Sequence, residues 1–172
     1  CKMCVRKGPE GVCEYVETKK KQIDKSKWTG ITVYAEHDEG RIHPVTFELI
    51  GKALELASKI KQEVHVVLIG YNVDEKANLL LEYGVDKVYV YEHQLLKIFN
   101  VERSVNVFSH YIENYQPSSI LIGATQLGRA FAPRIAARFK TGLTADCTIL
   151  DIKENTDLVQ IRPAFGGNIM AS

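Results

Sequence analysis

The sequence predicts a doubly wound α/β fold, a mostly parallel sheet flanked by helices, and two observations carry that expectation. Short β-branched, apolar runs alternate with longer segments of helical periodicity from Ile31 to Phe139. Val64–Gly70 (VHVVLIG) is apolar on both faces, as a strand central in a parallel sheet must be. The alternation of strand and helix is the order that right-handed crossovers between parallel strands produce. Ligands of such sheets sit at the carboxyl ends of the strands, a face that would carry His37–His43, Tyr71–Asp74 and Thr125–Arg129 here.

Ile31–Glu36 reads as the first strand, and the polar group His37–Arg41 turns the chain. His37 and His43 have no nearby cysteine and no repeated spacing, so they read as loop histidines rather than metal ligands. Pro44 suits the start of a helix reaching Lys61, in which Phe47, Ile50, Leu54, Ala57 and Ile60 follow helical spacing. After the strand Val64–Gly70, Asp74 is expected to cap a shorter helix through Tyr83, with Gly84 as its stop. Lys87–Tyr91 is the third strand, and its two tyrosines read as packing residues rather than a stacking platform for a base.

Val101, Val105, Phe108, Ile112 and Tyr115 step by four and three and define an amphipathic helix. Ser118–Gly123 forms the fourth strand. A turn then leads to a helix whose stripe is Leu127, Phe131, Ile135 and Phe139, with Arg129, Arg134 and Arg138 mostly on its other faces. Proline has no N–H to donate, so Pro133 is expected in the first turn of a helix that becomes regular at about Arg129–Ala132. Cys147–Ile152 and Leu158–Arg162 are expected to extend the sheet, separated by the polar turn Lys153–Asp157, with Cys147 a buried, inert thiol.

With 172 residues, 45% hydrophobic and 25% charged, the chain has material for one well-buried core and a small appendage. The division falls between residues 1–27, a lysine-rich arm, and residues 28–172, the α/β domain. A formal net charge of +1 gives no reason to expect nucleic acid or a membrane surface as partner. No apolar run approaches the roughly 20 residues of a membrane span, and no charged-then-apolar leader precedes the fold, so a cytoplasmic protein is expected. Both ends read as cut from a longer polypeptide.

Two stretches could carry chemistry. Gly123-Ala124-Thr125-Gln126-Leu127-Gly128-Arg129 places free helix-start N–H groups beside glycines and an arginine, which would suit an anion or phosphate. The same spacing serves close strand–helix packing, so both readings stand. Cys1 and Cys4 stand at C-x₂-C spacing, with Cys13 beyond, so iron–sulfur, zinc and no binding at all are open. Reduced cytosolic thiols argue against a disulfide framework. The chain lacks a Gly-x-Gly-x-x-Gly turn, a P-loop and a Gly-x-Ser-x-Gly elbow, and no titratable pair commits itself to one site, so no catalytic residues are assigned.

A resemblance rests on Gly123-Ala124-Thr125, Gly128-Arg129, Ala132-Pro133-Arg134, Ala136-Ala137-Arg138 and Thr141–Cys147, with Gly84–Val88 and Arg162–Asn168 in agreement. Together these motifs resemble the first domain of the electron transfer flavoprotein alpha subunit, over about Ile31–Ser172. The resemblance implies a Rossmann-like, adenine-nucleotide-hydrolase-like sheet in a noncatalytic scaffold domain. It further implies pairing with a beta subunit, and FAD-mediated electron transfer between acyl-CoA or other dehydrogenases and acceptors. FAD would sit mainly in a following domain. Gly123, Thr125, Gly128 and Arg129 would lie toward the partner or its flavin, and Arg162 and Asn168 toward the flavin domain.

The stretch Cys1–Pro9 resembles the tail of a ferredoxin-like extension in which Gly8-Pro9 replaces Cys-Pro, making Cys1, Cys4 and Cys13 the candidate ligands of an iron–sulfur cluster in the full-length protein. The competing reading is a nucleotide-binding or nucleotide-hydrolysing protein of universal-stress-like type, using Gly123–Arg129 on phosphate.

Overall fold

The structure, a computed structural model, describes residues 3–9, 12–13, 24–38, 40–164 and 169–171. In chain order its first elements are α1 (Met3–Lys7), β1 (Ile31–Ala35), β2 (His37–Asp38), β3 (Arg41–Ile42), α2 (Pro44–Ile60), β4 (Val64–Gly70), α3 (Asp74–Leu81) and β5 (Lys87–Glu92). Then follow α4 (Val101–Tyr115), β6 (Ser119–Leu121), α5 (Gln126–Phe139), β7 (Ile149–Ile152), β8 (Leu158–Ala164) and β9 (Ile169–Ala171).

Four parallel strands make the main sheet in the order β5-β4-β1-β6. Ile31 of β1 is in register with Val64 on one side and Ser119 on the other, and His65 of β4 with Lys87 of β5. The chain steps outward from β1 to β4 to β5 and then returns to the far side of β1 for β6. The reversal point of this doubly wound sheet therefore lies between the carboxyl ends of β1 and β6, where a crevice forms.

Every residue of β1 and β4 is buried, which is why their sequences are apolar on both faces apart from Thr32 and His65, whose buried side chains both hydrogen-bond the Tyr111 hydroxyl. Ile31, Val33 and Ala35 face α2 and α3, packing in one cluster with Ile50, Ala53, Leu56, Ala77 and Leu80. Tyr34, Val67 and Ile69 face the other way, against Phe108, Tyr111 and Ile112 of α4 and Phe131 and Ile135 of α5. Tyr89 and Tyr91 join this second cluster as partly buried packing residues.

Several expectations are corrected. β7 and β8 do not extend the parallel sheet: they form a separate antiparallel sheet with β9, Ile149 opposite Ile161 and Arg162 opposite Ala171. The physical reason is one-sided burial. β7 has an exposed Ile149 and a buried Ile152 that joins the α2 side of the core, a pattern suited to a sheet with one wet face. Cys147 precedes β7 instead of lying in it, and is half-buried. Pro133 sits inside α5, which starts at Gln126 because Thr125 caps it there. Its missing N–H leaves the Arg129 carbonyl without a helical donor.

Asp74 is the first residue of α3, and the preceding Val73 makes no side-chain cap. The His37–Arg41 turn is a small antiparallel hairpin of β2 and β3. His43 is more than a loop histidine: its Nδ1 accepts the Val45 N–H at 3.2 Å and caps α2.

Candidate functional site

The reversal point of the sheet is filled from within. Glu36, the residue after β1, is buried at 8% exposure, although it carries a carboxylate. Its backbone is fastened to α2, since its N–H donates to Thr46 Oγ1 at 3.1 Å. The side chain crosses to β6's side of the crevice, where the Thr125 hydroxyl donates to Glu36 Oε2 at 2.6 Å. The same hydroxyl oxygen accepts the Gly128 N–H at 3.0 Å, as an N-cap does. A carboxylate thus sits one hydroxyl away from the N-terminus of α5, where the partial positive charge of the helix favours an anion.

The two glycines of the turn are explained by packing. A Cβ on Gly128 would stand 1.8 Å from the Gly123 carbonyl oxygen, and one on Gly123 would stand 2.8 Å from Val45 Cγ1. Neither distance is tolerable, so the residue pattern Gly-x-x-x-x-Gly is what lets α5 close on β6 and α2. An incoming phosphate or flavin diphosphate would meet the Glu36 carboxylate and a Thr125 hydroxyl already committed at both its donor and acceptor sides. These residues do not fit a phosphate group in the crevice. Burial pushes the neighbouring Tyr34 phenol far above its ordinary range, and the Glu36 charge adds to the shift.

The arginines of α5 lie outside this lock. Arg129 is exposed, its Nε–H donating to the Ala124 carbonyl at 3.2 Å and its terminal nitrogen pairing with Asp146 Oδ1 at 2.6 Å. Arg134 donates to the Ala130 carbonyl at 2.6 Å, and Arg138 to Asn106 Oδ1 at 2.8 Å and Ser109 Oγ at 2.9 Å. Phe131 and Ile135, by contrast, are buried at 0% and 3% exposure, so the helix divides between a core face and an arginine-bearing face as its sequence implied.

The structure thus brings together Gly123, Thr125, Gly128 and Arg129, and sequence reasoning missed the fifth member, Glu36. Its signal was a lone carboxylate ending a mostly apolar strand, ITVYAE, which the sheet order places at the point of reversal. Arg162 stands exposed on β8, in the separate antiparallel sheet. Asn168, Cys1 and the Cys4 side chain lie outside the described residues, while Cys13 is an exposed free thiol. Among the described residues no three His, Cys, Asp or Glu side chains gather at metal-binding distance.

A four-stranded parallel sheet with helices on both faces, a self-filled switch point and an arginine-bearing fifth helix define a doubly wound α/β domain. The sequence pattern described as electron transfer flavoprotein domain matches residues 31–172, and the chain belongs to that family. It is 64% identical over 171 residues to the lactate dehydrogenase (NAD(+),ferredoxin) subunit LctC of Acetobacterium woodii, covering 99% of this chain and 41% of that protein. Against the electron transfer flavoprotein subunit alpha of Thermoanaerobacterium thermosaccharolyticum the identity is 47% over 142 residues, 83% of this chain and 43% of that protein. For the electron transfer flavoprotein subunit alpha of Clostridium acetobutylicum it is 43% over 151 residues, 87% and 45%. The chain spans less than half the length of these curated relatives. No helix among the described residues is long and apolar enough to cross a membrane.

Proposed function

We propose that this chain is the noncatalytic scaffold domain of an electron transfer flavoprotein alpha subunit, pairing with a beta subunit to support FAD-mediated electron transfer between acyl-CoA or other dehydrogenases and their acceptors. The family match supports it, and so do the names of the relatives, which are alpha subunits or a subunit of a dehydrogenase complex. The single structural observation that carries the scaffold reading is the Glu36–Thr125–Gly128 lock, which uses the fold's usual ligand crevice to seat α5 rather than to hold a phosphate. The competing nucleotide-hydrolase-like reading required that crevice for its own phosphate contacts.

In this reading residues 28–172 form the scaffold and residues 1–27 a ferredoxin-like remnant and basic linker. Gly123, Thr125 and Gly128 hold α5 in place, Arg129 presents a positive charge to the partner subunit or its flavin, and Arg162 and Asn168 lead toward a flavin-binding domain. FAD, when bound in the assembled protein, supplies the electron-carrying chemistry. This chain's residues position the arginine face and keep the switch point closed. Cys1, Cys4 and Cys13 contribute to an iron–sulfur cluster in the full-length protein, with further thiolate ligands supplied from elsewhere.

Titration of this chain with FAD, followed by flavin fluorescence, tests the proposal. The expected result is no saturable binding below about 100 μM, a free energy weaker than about −5.5 kcal/mol. Saturation at micromolar FAD would show a self-sufficient flavin site and overturn the scaffold reading.

A further inference from the structure

Toward the amino ends of β1 and β4, away from the lock, a chain of polar side chains crosses the core. Tyr111 of α4 is 0% exposed, and its hydroxyl stands 2.8 Å from Thr32 Oγ1 of β1 and 3.2 Å from His65 Nδ1 of β4. His65 is 6% exposed, and its Nε2 lies 3.0 Å from Glu63 Oε2, a carboxylate that also takes the Lys87 ammonium at 2.5 Å. The Glu63 side chain is 52% exposed, so the chain runs from the core to water.

With a neutral imidazole, one arrangement of protons fits this chain. Glu63 is held below the usual carboxylate range, first by its hydrogen bond from His65 and then by that from Lys87, so it is ionised and can only accept. His65 Nε2 therefore carries the ring proton. Nδ1 is left to accept the Tyr111 O–H, and the Thr32 hydroxyl donates to the phenol oxygen, roles assigned from the network as a whole.

A phenol in an apolar core needs one partner, and Thr32 alone would serve. The imidazole goes beyond that need. It stands in an otherwise apolar central strand, where a buried polar ring is destabilising unless it is hydrogen-bonded. Gly30, at φ +86°, leaves it room, since a Cβ there would lie 3.1 Å from His65 Cε1. What the imidazole adds is a base within reach of a phenol proton. Burial holds the Tyr111 phenol above the ordinary tyrosine range, so it does not ionise by itself near neutral pH, and loss of its proton must accompany loss of an electron.

The electron has a route of its own. The Tyr115 ring stacks on Tyr111 with centroids 5.1 Å apart and planes at 28°, and Tyr115 is 44% exposed. Tyr89 stands 5.0 Å from Tyr111 and 4.3 Å from Tyr115. Proton and electron therefore leave Tyr111 in different directions, one toward His65 and Glu63, the other through the rings to the surface.

We infer that Tyr111 is a redox-active tyrosine, a one-electron donor to oxidants of the peroxyl-radical class that reach Tyr115, with His65 as its proton acceptor. In the step the Tyr111 O–H bond breaks and a His65 Nδ1–H bond forms, while one electron passes through Tyr115 to the peroxyl radical, which takes a proton from water and becomes a hydroperoxide. The products on the protein are a neutral phenoxyl radical and an imidazolium beside the Glu63 carboxylate. The phenoxyl oxygen keeps its hydrogen bond from Thr32 and gains one from His65. A one-electron reductant such as ascorbate, together with the imidazolium proton, restores the phenol. This site goes beyond the scaffold reading; its failure would leave that reading intact, and the FAD titration does not bear on it.

The test oxidises this chain by flash photolysis of tris(bipyridine)ruthenium(II) with a sacrificial acceptor, the Ru(III) form being the one-electron oxidant, and follows the radical by electron paramagnetic resonance. The expected result is a tyrosyl signal that outlives that of free tyrosine under the same flash, disappears with ascorbate, and changes its hyperfine pattern on exchange into deuterium oxide because His65 donates to the phenoxyl oxygen. Tyr111→Phe should abolish the persistent signal. His65→Gln keeps a hydrogen-bond acceptor but not a base, and should slow radical formation at least about tenfold. Tyr115→Leu should slow it as well, whereas Tyr83→Phe, whose ring lies against Phe47, should leave it unchanged. A persistent signal that survives Tyr111→Phe overturns the inference, as does a formation rate unchanged in both His65→Gln and Tyr115→Leu. The wild type decides alone if the variants do not fold: no persistent signal, or one indifferent to deuterium oxide, overturns the inference too.

Discussion

Replacing Thr125 with valine keeps the shape of the side chain and removes only its hydroxyl, so it isolates the lock at the reversal point. Two losses follow. The Gly128 N–H loses its cap, which costs about 1 kcal/mol at a helix N-terminus. The Glu36 carboxylate, 8% exposed, loses its 2.6 Å donor, and a hydrogen bond to a charged group contributes about 1.5–3 kcal/mol. The sum is about 3 kcal/mol, or a fall in melting temperature of roughly 6–12 °C for a domain of this size. Thr125→Ser keeps the hydroxyl and should stay within about 1 kcal/mol of wild type.

Equilibrium unfolding in urea measures both variants. A double-mutant cycle with Glu36→Leu adds the coupling, since removing both partners should cost less than the two single changes added together. A Thr125→Val protein within about 0.5 kcal/mol of wild type, or strictly additive single changes, would refute the lock.

Three further outcomes are expected. Burial holds the Tyr34 and Tyr111 phenols above the ordinary tyrosine range, so the folded state keeps protons that the unfolded chain releases. Stability should be full below about pH 10 and fall as pH rises beyond it, a loss readable in urea midpoints between about pH 9 and 11.5 and smaller in slope for Tyr111→Phe. Asp151 and Asp157 are held below the usual carboxylate range, first by their hydrogen bonds to Lys59 and Lys25; their contribution should be present above about pH 4, vanish as pH falls below it, and weaken in high salt. Anaerobic reconstitution of the full-length protein with iron and sulfide should give a cluster signal in electron paramagnetic resonance that Cys4→Ala alters or abolishes; a signal indifferent to Cys4→Ala would remove that residue from the ligand set.

Much of the fold was legible because its signals are local. The apolar run of β4, broken only by His65, and the four-and-three stepping of α4 each follow from what those segments bury. The antiparallel placement of β7 and β8 was not legible, since a four-residue strand with one buried end carries the same composition whether it joins one sheet or another. Pro133 misled for a related reason: its cost was weighed locally, whereas the start of α5 was decided by Thr125 and its contact with Glu36, 89 residues earlier. The same long-range contact hid Glu36 itself. Nothing within a window of ITVYAE shows that the strand will end against the turn following β6, and only the sheet order makes the two neighbours.

In the proposed function this domain serves electron transfer as a scaffold that presents α5 to its partner. The most direct test reconstitutes the full-length alpha subunit with its beta subunit and FAD, then follows flavin reduction by the dehydrogenase in stopped flow for wild type and Arg129→Glu. Arg129 is exposed and paired with Asp146, so the reversal should leave the melting temperature within a few degrees while lowering subunit affinity or the reduction rate about tenfold. Unchanged assembly together with an unchanged reduction rate would contradict the claim.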